Sequence, residues 1–175
     1  MTYAPETASP STTDPVFRST DVMDPARSAA LQVALGLEPD ISAGSELPPF
    51  FHQLYFWMPV PPEQLGRDGH PGRSKSGLIP DLGLPRRMWA GGRLQFEHPL
   101  IAGVAAEKRS VVEQSNRKMG RSGPLGFVTL RHEVHQEGRL CVREWHDLLF
   151  REDPSPEAPK PVPPRAREDE EEARQ

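Results

Sequence analysis

Between Leu125 and Phe150 the chain alternates twice across one turn. Gly126, Val128, Leu130, His132 and Val134 stand against Leu125, Phe127, Thr129, Arg131 and Glu133. Gln136-Glu137-Gly138 then leads into a second alternating run, Leu140 to Phe150. A period of two places successive side chains on opposite faces of a sheet, and a short glycine-bearing turn between two such runs specifies an antiparallel hairpin. This hairpin limits the chain to folds that can bury one face of long antiparallel strands. Two further runs, Arg93 to Glu97 and Val104 to Lys118, read as strands. Leu47 to Trp57, LPPFFHQLYFW, has the aromatic bulk of another, bounded by prolines.

One helix is expected before these strands. Asp24-Pro25 supplies an N-cap acceptor followed by proline at the first helical position, and Ala30, Leu31, Ala34 and Leu35 recur at helical spacing through Leu37. Gly36 and Glu38-Pro39 end it. One helix and about five strands describe an α+β fold, a curved antiparallel sheet wrapped around a single helix. Residues 1–20 are rich in Thr, Ser and Pro without apolar period and read as a disordered or loosely attached segment. Residues 153–175, proline-rich and ending in the acidic run Glu168 to Glu172, read as a disordered tail. The folded domain expected between them is 21–152.

A formal net charge of −4 argues against nucleic-acid binding, which calls for a clustered basic excess. With no apolar run of about twenty residues and no charged-then-apolar leader, neither a membrane span nor a secretory signal is expected, and the cytoplasm is the expected compartment. The single cysteine, Cys141, lies in an alternating run and reads as a small apolar strand residue. His132 and His135 stand three apart in a strand and so face opposite ways, which argues against a metal site. The stretch Pro59 to Pro85, dominated by Pro, Gly, Asp, Arg and Ser, is too long for a simple connector and reads as a functional loop.

Several residue sets carry a resemblance. They are Leu65-Gly66 with Asp68-Gly69-His70-Pro71, Leu84-Pro85-Arg86-Arg87-Met88-Trp89-Ala90-Gly91-Gly92, Pro99-Leu100 with Gly103, Lys118-Met119-Gly120-Arg121-Ser122-Gly123, and Glu144 through Asp147 to Arg151. As a set they resemble the MaoC-like acyl-thioester hydratases and dehydratases, in the branch of the mesaconyl-C4-CoA and itaconyl-CoA hydratases and the mitochondrial type 2 hydroxyacyl-thioester dehydratase. The resemblance covers about Pro25 to Arg151 and implies a single hot-dog fold. In relatives with two hot-dog units in one chain, the catalytic Asp or His pair sits in the C-terminal unit near a motif of the form SALTFNxHRIHYD. No such motif occurs here, so the chain resembles the N-terminal unit.

The resemblance implies an acyl-CoA or acyl carrier protein thioester as substrate. Coenzyme A or phosphopantetheine would then arrive as part of that substrate, with no separate cofactor. Hydration of an enoyl thioester needs a base, an acid and donors to the thioester oxygen. Asp68 and His70 flank a turn in which the carboxylate orients the imidazole or, alternatively, caps its own backbone. Glu144 and His146 are neighbours on one strand face, as catalytic groups, a cross-strand patch or a subunit contact. Arg86 and Arg87, with Trp89 close by, suit phosphate and adenine recognition, and Gly91 and Gly92 allow close backbone approach to a ligand. Pairing across a unit interface and a bend at a strand start are the alternatives. Lys118 and Arg121 around Gly120 and Gly123 admit the same two readings.

A lone unit leaves a sheet edge and a helix face uncovered, so dimerisation, with itself or with a separate C-terminal-half hydratase subunit, is expected. In the heteromeric case the partner supplies the catalytic Asp and His. The alternative function is a non-enzymatic acyl-thioester-binding or scaffolding subunit.

Overall fold

The computed structural model describes residues 16–71, 77–121 and 123–154. The 153–175 tail therefore lies almost wholly outside the described residues. Among the described residues, five strands form one antiparallel sheet in the order β1-β3-β4-β5-β2. They are β1 Phe17–Asp21, β2 Arg86–Phe96, β3 Ala106–Gly120, β4 Gly123–Gln136 and β5 Arg139–Arg151, with one helix, α1 Pro25–Ala34, between β1 and β2. The α+β expectation holds, and the hairpin is where the alternation puts it. Glu137 and Gly138 both take positive φ, 49° and 78°, the conformation that matches the twist of tightly joined strands.

Two sequence readings are corrected. Leu47 to Trp57 is not a strand: it holds the 3-10 turn Phe51–Leu54, and both Phe50 and Phe56 have positive φ, 72° and 63°. Its buried residues, Leu47, Phe51, His52 and Tyr55, do not alternate, and Pro48 and Pro49 offer no N–H to a ladder. The fifth strand is β1 instead, lying largely inside the segment read as disordered or loosely attached. Phe17 to Asp21 pairs with Ser110 to Ala106 of β3. FRSTD has no apolar period, and backbone pairing to a long neighbour, rather than side-chain burial, holds it.

Asp24 caps α1 as expected, its carboxylate accepting from Ala26 N at 2.9 Å. The buried face of the helix differs from the apolar one. Ser28 and Gln32 are buried, whereas Val33 and Leu35 are 61% and 60% exposed. Ser28 Oγ lies 2.7 Å from the Tyr55 hydroxyl, and the Gln32 amide accepts from Asp40 and Ile41 N and donates to Asp40 Oδ1. The helix therefore bears on the Phe51–Leu54 turn, and that turn bears on the sheet.

Two apolar clusters fill the covered face of the sheet. One joins Met23, Ile41, Leu47, Phe51, Tyr55, Leu100 and Ala102 to Ala106, Val134 and Val142. The other joins Leu84, with Leu78, Ile79 and Leu82, to Val128, Leu130 and Phe150. The long Pro59 to Pro85 stretch thus ends in an apolar wedge on the sheet. The opposite face carries a charged lattice. Arg131 and Arg143 pair with Glu133, Arg93 pairs with Asp147, and Trp145 Nε1 donates to Glu113 Oε2 at 2.7 Å.

Candidate functional site

The inward-facing positions of β3, β4 and β5 are apolar at both ends and polar in the middle. Between the clusters lie Lys108, Ser110, His132, Glu144 and His146. The register sets Ser110 beside His132, and His132 beside Glu144, as one row across three strands. Ser110, His132 and Glu144 are all under a tenth exposed. Polar groups so buried need partners, and they have them. Ser110 Oγ and His132 Nδ1 are 2.7 Å apart, and His146 Nε2 lies 2.7 Å from Glu144 Oε1. The Gln53 amide donates to the same Glu144 oxygen at 2.9 Å, while His52 Nε2 stands 3.7 Å from Oε2. The His132 and His146 rings meet edge to face at 4.9 Å. Glu144 thus ties the 3-10 turn to the sheet.

Burial and neighbouring charge set the protonation of this row. Burial alone would raise the Glu144 carboxyl, but hydrogen bonds from His146 and His52 hold it well below the ordinary carboxylate range. Burial, reinforced by Lys108 and His146, pushes His132 down to about 3, so its ring is neutral at pH 7. Burial also lowers the Lys108 ammonium, which Glu144 only partly offsets.

Beside this row is a cavity of about 560 Å3. Its floor includes Ser110, His132, Leu130 and Phe150, its walls Phe56, Met58, Leu78 and Ile79, and its rim Arg67, Asp68 and Arg87. Exposure falls from the rim, where the Arg67 side chain is 58% exposed, to Ser110 at 5%. The size and the apolar wall with few polar groups are those of a small-molecule site. Arg67 and Arg87 are both engaged. Arg67 donates to Asp153 Oδ2 at 2.7 Å, fixing the start of the C-terminal tail to the loop, and Arg87 holds Asp68 Oδ2 at 2.9 Å.

Of the residues singled out in the sequence, Asp68 and Arg87 line this cavity together. Burial would raise the Asp68 carboxyl, but the His70 backbone N–H and Arg87 keep it below its usual value. His70 is exposed, and its Nδ1 lies 3.1 Å from the Asp68 carbonyl oxygen; the Asp68 carboxylate accepts instead from the His70 backbone. The geometry is the self-capping turn. Arg86, Trp89, Gly91 and Gly92 are in β2, Trp89 being 69% exposed, and none of the four lines the cavity. A bulge separates Trp89 from Gly91, and a Cβ on Gly92 would stand 2.9 Å from the Trp145 carbonyl oxygen. These glycines accommodate a neighbouring strand. Lys118 and Arg121 lie at the β3–β4 hairpin, where Gly120 opposes Gly123 and the Lys118 ammonium sits 4.4 Å from the Phe127 ring centroid. Cys141 is buried and its thiol is pushed up by burial, as suits a packed strand residue.

Lys108, Ser110 and the inward role of His132 escaped the sequence reading. Their signal was parity: each is a polar residue at a position whose strand neighbours two away point into the core.

The hydroxyacyl-thioester dehydratase type 2 family profile matches residues 50–175, most of the chain. The chain belongs to the hydroxyacyl-thioester dehydratase type 2 family. The motif resemblance to MaoC-like hydratases and dehydratases is borne out by this match and by a curated relative. Mesaconyl-C(4)-CoA hydratase of Chloroflexus aurantiacus is 44% identical over 137 residues, covering 77% of this chain and 47% of the relative. The chain thus spans about half the length of that relative. Among solved structures, the ChsH1–ChsH2 complex from Mycobacterium tuberculosis matches with a TM-score of 0.53 and 13% identity, over 85% of this chain and 90% of that one. At that identity the likeness is one of fold, the hot-dog fold expected from the motifs. No helix among the described residues is long and apolar enough to cross a membrane.

Proposed function

We propose that this chain is the N-terminal half of a MaoC-like acyl-thioester hydratase or dehydratase, of the mesaconyl-C4-CoA hydratase or 3-hydroxyacyl-thioester dehydratase type. It shapes the acyl-thioester site, while a partner hot-dog half supplies the catalytic Asp and His. The observation that carries this reading is the cavity of about 560 Å3 and the state of the buried groups beside it. A general acid or base works best with a pKa near the operating pH. His132 is held near 3 and Glu144 is held ionised, so both resist proton exchange at pH 7. That suits a wall better than a proton-transfer centre.

Assembly is supported by two surfaces. The outer edge of β2 has no strand beside it among the described residues, and α1 exposes Val33 with Leu35 at its C-cap. Both are liabilities that a second hot-dog unit removes. In this reading the coenzyme A or phosphopantetheine arm enters with the substrate past Arg87 and Asp68, and no resident cofactor takes part.

Hydration of mesaconyl-C4-CoA, followed by loss of enoyl-thioester absorbance, tests the reading with the chain alone and mixed with a catalytic-half protein. Turnover in the mixture only is the expected outcome. Turnover by the chain alone would refute the division of labour, and silence in both would refute the hydratase reading.

A further inference from the structure

Lys108 lies on the inner face of the sheet with no carboxylate among the described residues close enough to pair with it. It lines the cavity beside Ser110 and His132. Among the described residues, the arginines on that cavity, Arg67 and Arg87, are paired with Asp153 and Asp68. Among the described residues no carboxylate lies within ion-pair distance of Lys108; its nearest aromatic contact is the Phe56 ring, with Nζ 6.0 Å from the centroid. Glu144, the carboxylate of the same inner row, is already occupied by His146 and Gln53. His132, next in the row, is neutral and contributes no negative charge.

A cation so placed is costly. Lys108 is half-buried, and an ammonium partly withdrawn from water without a partner is disfavoured. The apolar walls, Phe56, Met58, Leu78 and Ile79, shield the site further. A ligand that brings an anion to this point regains what burial has removed, and it does so where solvent screening is weak. The Ser110 hydroxyl stands two residues along the same strand on the same face, 2.7 Å from His132 Nδ1.

We infer that Lys108 is a specificity-determining residue: its ammonium receives a free carboxylate carried on the acyl group, so the cavity favours thioesters of dicarboxylic acids over those of simple alkenoic acids. The inference rests on the acyl-thioester reading above and adds the class of acyl group. Lys108 makes no covalent bond in this role.

The test is a calorimetric titration of the full chain with two thioesters, mesaconyl-C4-CoA and 3-methylcrotonyl-CoA, which differ by a carboxylate in place of a methyl group. The wild-type chain is expected to bind the first roughly tenfold more tightly, as a charge-assisted hydrogen bond in a shielded site warrants. In Lys108→Met the ratio is expected to collapse towards one, with circular dichroism and thermal melting checking that the variant is folded. Equal affinities in the wild-type chain, or a ratio unchanged by Lys108→Met, would overturn the inference and leave thioester binding intact. Should Lys108→Met fail to fold, the wild-type pair of titrations still decides. If neither thioester binds, the functional reading fails by itself, and free mesaconate titrated into both proteins becomes the arbiter. Binding lost in Lys108→Met supports the carboxylate site, and no binding to either removes it.

Discussion

Glu144 joins three side chains from two segments of this molecule. Its carboxylate takes the His146 imidazole at 2.7 Å and the Gln53 amide at 2.9 Å, with His52 at 3.7 Å, all in a setting that leaves its own side chain 8% exposed. Parity along β5 already set Glu144 and His146 on one face, and the contact follows from it. That Gln53 and His52 meet them was not legible, because those two residues come from a segment whose aromatic composition suggests a strand. Glu144→Ala removes the acceptor and leaves buried donors unpaired, a class of change that costs about 3–5 kcal/mol. Urea unfolding should show a loss of that order; a loss below about 1 kcal/mol would mean that water replaces the carboxylate freely.

Among the elements, α1 and the 3-10 turn Phe51–Leu54 depend on each other. Tyr55 joins them, its hydroxyl 2.7 Å from Ser28 Oγ and donating to the Asp24 carbonyl at 3.0 Å. Asp21 at the end of β1 adds a second joint, accepting from Met23 N, Phe56 N and Arg27 Nη1. Tyr55→Phe keeps the ring and removes the hydroxyl, so a loss of about 1–2 kcal/mol is expected. Hydrogen exchange localises it: amides of α1 should exchange faster in Tyr55→Phe while those of β4 change little. Equal acceleration in both elements would show that the helix and sheet unfold as one unit. The start and cap of α1 were legible because capping is a local bond between Asp24 and Ala26. Its buried face was not, because Ser28 and Gln32 are buried through partners distant in sequence.

For the whole molecule, the polar row makes stability depend on acidity. His132 has a folded pKa of about 3 against an ordinary 6.5, so below pH 6.5 the unfolded chain takes up a proton that the folded chain refuses. The stabilisation is complete above pH 6.5 and is lost progressively as pH falls towards 3, by up to about 1 kcal/mol per pH unit. Glu144, whose folded pKa is also depressed, stabilises above its unfolded value of 4.5 and adds to the loss only below it. Urea midpoints measured from pH 8 to 4 should therefore fall below pH 6.5, and His132→Gln should flatten the fall between 6.5 and about 4.5. A wild-type profile already flat in that interval would show that His132 is protonated without penalty.

The sequence by itself determined the long antiparallel strands, their hairpin, the capped helix and the family, because alternation, turn chemistry and motif order are all local along the chain. It also determined which residues of β4 share a face, His132 with Leu130 and Val134, but not that this face is the inner one. Only the tertiary structure decided that Phe17 to Asp21 closes the sheet edge, that the aromatic run folds as a turn, and that Arg86 to Gly92 extends a strand. Only it, too, brought Lys108, Ser110 and His132 to one cavity with Asp68 and Arg87. The reason is distance: these contacts join segments tens of residues apart, and their stability comes from burial and hydrogen bonds that exist only once the sheet has formed.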